Sequence, residues 1–149
     1  MQMTVKTRGF REIEKILAEK LPEATGRNVL RRVAKGALEP MADDAARRAP
    51  EDEGRLAFSI AVSEGRTRRA RTSFQRLRGI QMAMGPASGL ATLQYATFVE
   101  FGTIDTPAQP YMRPAWDTGQ MKALDYVQDN LWIEVERAIG RVQRKSARL

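Results

Sequence analysis

The chain has 149 residues, 25 Lys and Arg against 18 Asp and Glu, a formal net charge of +7, and neither Cys nor His. That length suits one domain, residues 1–149, with a modest core, and the missing residue types remove disulfides, thiolate nucleophiles, cysteine metal sites and the commonest general base. No enzyme, cofactor or metal is expected, and the charge calls for an acidic partner such as nucleic acid, an acidic protein surface or an anionic membrane.

The opening residues, Met1 to Arg8, lack the apolar stretch of a signal peptide, and no apolar run nears the ~20 residues that span a bilayer. A soluble protein made in a cytoplasm is therefore expected. Met3 to Thr7 alternates like a short strand. Phe10, Ile13, Ile16, Leu17 and Leu21 then recur at helical spacing. Pro22 suits the first turn of a second helix, whose stripe runs Val29, Val33, Ala37, Met41 and Ala45. The stripe persists past Gly36 and Pro40, which predicts one kinked helix rather than two, ended by Ala49-Pro50.

After a turn at Pro50 to Gly54, Leu56, Phe58, Ile60 and Val62 alternate with small residues and predict a strand. A basic loop follows over 64–78, with Arg66, Arg68, Arg69, Arg71, Arg76 and Arg78 and Phe74 but no acid after Glu64. It is long for a strand connection, and its guanidiniums suit phosphate or acidic protein contact. Ile80, Met82 and Met84 predict the returning strand, and Gly85 to Gly89 a turn. The densest chemistry is in Tyr95-Ala-Thr-Phe-Val-Glu-Phe-Gly-Thr103 and Pro107-Ala-Gln-Pro-Tyr-Met-Arg-Pro-Ala115. The prolines fix φ and Gly102 permits a positive one, so this reads as an apolar element, a sharp turn and a rigid extended strap. Glu100, alone among Phe98, Val99 and Phe101, must be exposed, paired or neutralised, and Arg113 of the strap or an arginine of the basic loop, within or between subunits, is the expected partner. A closing helix begins at Pro114 or near Gln120, with Trp116, Leu124, Val127, Leu131, Val135 and Val142 as its stripe and Trp132 and Ile139 widening it. The basic C-terminus, 141–149, is expected to fray. Together the elements predict an α+β fold: a small antiparallel sheet packed against two N-terminal helices and a long C-terminal helix.

The paired acids carry little chemistry. Asp43 and Asp44 are helix neighbours with Arg47 and Arg48 one turn on, so surface ion pairs account for them.

Gly54-Arg-Leu after Ala49-Pro50, the Val-Glu-Phe-Gly-Thr block and the Pro-Ala-Gln-Pro-Tyr-Met-Arg-Pro-Ala strap resemble the gene-product-ten-like tail-completion and head–tail joining proteins of long-tailed phages. Glu53 stands where the family usually has Thr, and Tyr111 where Phe is commoner. The resemblance implies a structural virion protein of the neck, assembled in the host cytoplasm without catalysis. It also implies a homo-oligomeric ring of about six copies, with about twelve as the alternative, whose partners are other neck and tail proteins such as a connector stopper and a tail terminator or tube. Under it, Tyr95, Phe98, Glu100, Phe101, Pro110, Tyr111 and Arg113 are the expected interface or interface-shaping residues, against a competing reading that places Phe98, Phe101 and Trp116 in the core. The other functional alternative is a basic nucleic-acid-binding module using Arg66 to Arg78, with non-specific DNA contact.

Overall fold

The computed structural model describes residues 10–50, 55–64, 80–87 and 90–147. The arginine-rich stretch and the Met3 to Thr7 strand expected from the sequence lie outside them. Among the described residues, five helices and two strands follow one another: α1 (Phe10–Glu19), α2 (Glu23–Arg48), α3 (Arg55–Ser59), β1 (Ile60–Glu64), β2 (Met82–Pro86), α4 (Leu90–Phe101) and α5 (Met112–Ser146). The architecture is α+β, a small antiparallel sheet with helices at both ends of the chain, as the hydrophobic periods predict.

Helix α2 starts where Pro22 stands in extended conformation and its carbonyl accepts the N–H groups of Thr25 and Gly26, at 2.8 and 3.0 Å. It passes through Pro40 as one helix and stops at Ala49, which the following proline holds extended. Helices α2 and α5 form the main pairing, about 39 and about 52 Å long at 1.5 Å per residue. Val29 and Val33 of α2 pack with Leu131, Val135 and Ala138 of α5, closed over by Ile13, Ile16 and Leu17 of α1. At the other end, Ala45 and Ala49 meet Ala115 and Tyr111, with Leu56 of α3 and Ala96 of α4. The early part of α2 thus meets the late part of α5, and the two helices run antiparallel.

Between these two clusters the helices approach through glycines. A Cβ on Gly36 would lie 2.6 Å from the Tyr126 hydroxyl oxygen, and one on Gly119 would overlap Cγ and Sδ of Met41. Gly36 and Gly119, which weaken each helix in isolation by about 1 kcal/mol relative to Ala, give their space to a side chain from the opposite helix.

The strand expected from Leu56 begins four residues later. Arg55–Ser59 is a single helical turn instead. Leu56 and Ser59, three residues apart, point inward together, while Phe58 is left almost wholly exposed. The buried Ser59 hydroxyl donates to the Leu56 carbonyl at 2.7 Å, a local bond that competes with a strand ladder. From Ile60 the strand pairs antiparallel with β2 in the register Ile60↔Pro86, Val62↔Met84 and Glu64↔Met82, so Gly85 and Pro86 extend the strand rather than form a turn. A two-stranded sheet is marginal alone; here it packs across α2, and Arg31 of α2 forms an ion pair with Glu64.

Helix α5 departs from expectation at both ends. It starts at Met112, so Pro114 sits in its first turn where no N–H is needed, and it holds to Ser146 rather than fraying from Arg141. Arg144 and Lys145 in the last turn complement the negative end of the helix dipole, and the Ala147 N–H bonds the Gln143 carbonyl at 3.0 Å.

Candidate functional site

The apolar block is a helix. Within α4, Thr92, Ala96, Val99 and Glu100 fall at spacings of four, three and one and share the inward side. Phe98 and Phe101 face outward, 54% and 65% exposed. Apart from Glu100, α4 has no charged residue, so its outer face is uncharged.

Gly102 ends α4 in the left-handed region, φ +78°, its N–H bonding the Phe98 carbonyl at 2.7 Å. A Cβ there would come within 2.8 Å of the Ala108 nitrogen, so only glycine fits without moving the strap. The turn is then fixed by Thr103. Its N–H donates to the Thr106 carbonyl at 2.9 Å, and its hydroxyl accepts from the N–H groups of Asp105 and Thr106 at 3.3 and 3.1 Å. The turn lifts Ile104 fully into solvent. The strap returns along α4, where the Gln109 N–H bonds the Val99 carbonyl at 2.8 Å.

Glu100 joins the two helices. Its Oε2 accepts from the backbone N–H groups of Tyr111 and Met112 at 2.8 and 2.9 Å. Its Oε1 accepts from the Arg113 N–H at 3.1 Å and from Arg113 Nε at 3.0 Å. An α-helix leaves four unbonded donors at its N-terminus. In α5 these positions are Tyr111, Met112, Arg113 and Pro114; the proline has no donor, and one carboxylate takes the other three. Tyr111, in the cap position, makes no side-chain capping bond of its own, and the first turn has no acid. Glu100 therefore caps α5 from eleven to thirteen residues away and sets its charge against the positive end of the helix dipole. Arg113 completes the joint: Nη2 donates to the Glu100 carbonyl at 3.0 Å, and the guanidinium lies 4.9 Å from the centre of the Phe101 ring. The Phe98, Val99 and Glu100 carbonyls at the end of α4 thus all have partners.

The electrostatics follow from this geometry. Glu100 is 5% exposed, and burial by itself raises its pKa. The Met112 and Tyr111 N–H bonds, followed by those from the Arg113 side chain and N–H, outweigh burial and hold the carboxyl below its ordinary 4.5. Tyr111 is 1% exposed, and burial together with the Glu100 charge pushes its phenol up to about 12. Elsewhere Glu134 is held low by the hydrogen bonds of Arg137 and Arg32, which ties α5 to α2. Asp44 is held low chiefly by the hydrogen bond from Arg48, with Arg47 also paired to it. These are surface pairs of small energetic weight. Among the described residues there is no cluster of three or more acids that could hold a metal, and no helix long and apolar enough to cross a membrane.

The structure brings together Phe98, Glu100, Phe101, Tyr111 and Arg113 of the residues singled out from the sequence. Tyr111 lies within the core and shapes the strap rather than offering surface. Pro110 is exposed beside it, and Tyr95 is partly exposed on α4. Phe98, Phe101 and Trp116 are not core residues, which removes the competing reading of those three. Arg66, Arg68, Arg69, Arg71, Arg76 and Arg78 lie outside the described residues. Sequence reasoning paired Glu100 with arginine but missed its larger role with three backbone donors. The signal was present in the absence of any local cap or acid at the start of α5.

Beyond Arg113 lies an apolar groove of about 400 Å³ lined by Leu38, Met82, Met84, Met112 and Trp116, with Asp117 at its rim.

No curated protein and no solved structure matches the chain. The HK97-gp10-like family of bacteriophage tail components matches residues 13–102, from α1 to the Gly102 turn and more than half of the chain, and the protein belongs to that family of phage structural tail proteins.

Proposed function

We propose that this chain is a structural subunit of the phage neck that completes the tail or joins it to the head, acting by docking rather than by chemistry. The observation that carries this reading is the Glu100-capped strap. A buried carboxylate, a glycine turn and three prolines hold α4 and α5 in one fixed relation while Phe98, Phe101 and Ile104 remain in solvent. A segment already held in its docking shape loses little entropy when it binds. Membership in a tail-component family supports a place in the virion. In this reading the chain forms a closed homo-oligomeric ring of about six or about twelve copies through head-to-tail contacts. Its other neighbours are the connector stopper and the tail terminator or tube.

The test is genetic and visual. A phage lacking this chain is complemented in the host with the wild-type gene or with Arg113→Glu, and lysates are imaged. The expected result is separate heads and tails without the chain, joined particles with the wild type, and few joined particles with Arg113→Glu. Joined, infectious particles in the complete absence of the chain would overturn the neck assignment.

A further inference from the structure

We infer that the aromatic ridge of α4, formed by Phe98 and Phe101, seats in the groove lined by Leu38, Met82, Met84, Met112 and Trp116 on a second copy of this chain. The inference rests on the assembly reading above and names the partner and the surfaces. Three observations point to a second copy. The ridge and the groove are both on this chain, on either side of Arg113, whose guanidinium stacks over Phe101 and also borders the groove. A copy that offers its ridge to one neighbour keeps its groove for another, the condition for head-to-tail growth that can close as a ring.

The charge pattern agrees. The chain as a whole carries +7, and much of that excess lies in the arginines of 66–78, so two copies repel where those basic stretches meet. The outer face of α4 carries no charge, and among the described residues the groove is bordered by one cation and one anion, Arg113 and Asp117. Two copies meet here without that repulsion.

The area is adequate as well. At about 200 Å² per aromatic side chain, the exposed fractions of Phe98 and Phe101 give the ridge roughly 240 Å² of apolar surface, and Trp116 gives the groove side about 100 Å². With the exposed Leu93 and Ile104 on the same side, the ridge reaches the ~300–600 Å² of a functional patch. The two ridge aromatics supply nearly a third of the about 800 Å² per partner in a stable interface, before Leu93 and Ile104 are added on the same side.

The absence of Cys from the chain gives a direct test. Thr97 lies beside the ridge and Ala83 borders the groove, and both are exposed and small. Differently tagged Thr97→Cys and Ala83→Cys chains are co-expressed, purified and mildly oxidised. A mixed disulfide should form in clear excess over the product of either variant alone. In parallel, sedimentation at tens of micromolar should show a discrete oligomer of the wild-type chain. Phe98→Ser and Phe101→Ser should each weaken it at least ~10-fold with an unchanged circular dichroism spectrum. Should the chain self-associate while mixed disulfides stay at single-variant levels and both serine variants associate normally, the inference fails and the ring reading stands. A wild-type chain that stays monomeric overturns both, leaving the neck assignment to the complementation experiment.

Discussion

Replacing Glu100 by Ala isolates what the joint between α4 and α5 contributes. The substitution strips the acceptor from three backbone donors and one guanidinium. Losing an N-cap costs about 1 kcal/mol, and removing the charge at the helix N-terminus about 0.5 kcal/mol more. The Tyr111 N–H belongs to a residue only 1% exposed, so water cannot replace its partner, and a stranded donor costs about 1–3 kcal/mol. Arg113 adds little, because its side chain is 60% exposed and recovers hydration. The expected loss is about 3 kcal/mol, against about half of that for Glu100→Gln, which keeps one acceptor oxygen. Urea unfolding at fixed protein concentration measures it, since self-association would otherwise contribute. Hydrogen exchange should show the Tyr111 and Met112 amides losing protection before the α2–α5 core does. Arg113→Ala separates a cap from an ion pair and should cost under about 1 kcal/mol. A Glu100→Ala loss below about 1 kcal/mol, or an Arg113→Ala loss equal to it, would refute the capping argument.

Three further outcomes follow from the same structure. Glu100 has its folded-state pKa below the ordinary 4.5, so the unfolded chain takes up the proton first as pH falls. Its contribution is complete above about pH 4.5 and is lost on acidification below it; a Glu100→Gln chain should show a shallower acid-stability slope, and an unchanged slope would count against the cap. Tyr111 has the opposite sign: with its phenol raised from 10.0 to about 12, its contribution is complete below pH 10 and is lost as pH rises towards 12, by about 2–3 kcal/mol in total. Absorbance at 295 nm should show a late phenol ionisation that vanishes in Tyr111→Phe, and its persistence would reassign the group. Gly119→Ala should destabilise by about 1–3 kcal/mol despite the better helix former, because its Cβ overlaps Met41, and Met41→Ala in the same chain should recover part of the loss. Simple stabilisation by the alanine would mean that Met41 moves aside freely.

The sequence by itself determined the helices that have a long apolar period, the breaks at Pro22 and Pro50, and the existence of the sheet. These depend on neighbours three, four or two residues away, which periodicity records directly. It also marked the strap, because proline and glycine restrict or free φ whatever surrounds them. The tertiary structure decided what each of those residues does. Leu56 to Ser59 alternates like a strand, yet it forms a helical turn because Leu56 docks beneath Ala96 and Tyr111, a contact between residues distant in the chain. Gly36 and Gly119 read as weak points in isolated helices, and only the crossing of α2 and α5 shows them as the places where Tyr126 and Met41 enter. Glu100 could be recognised as a carboxylate in need of a partner. That its partners are chiefly the orphan N–H groups of the next helix depends on the strap's return path, because a backbone donor leaves no mark in the sequence and becomes available only where a helix begins.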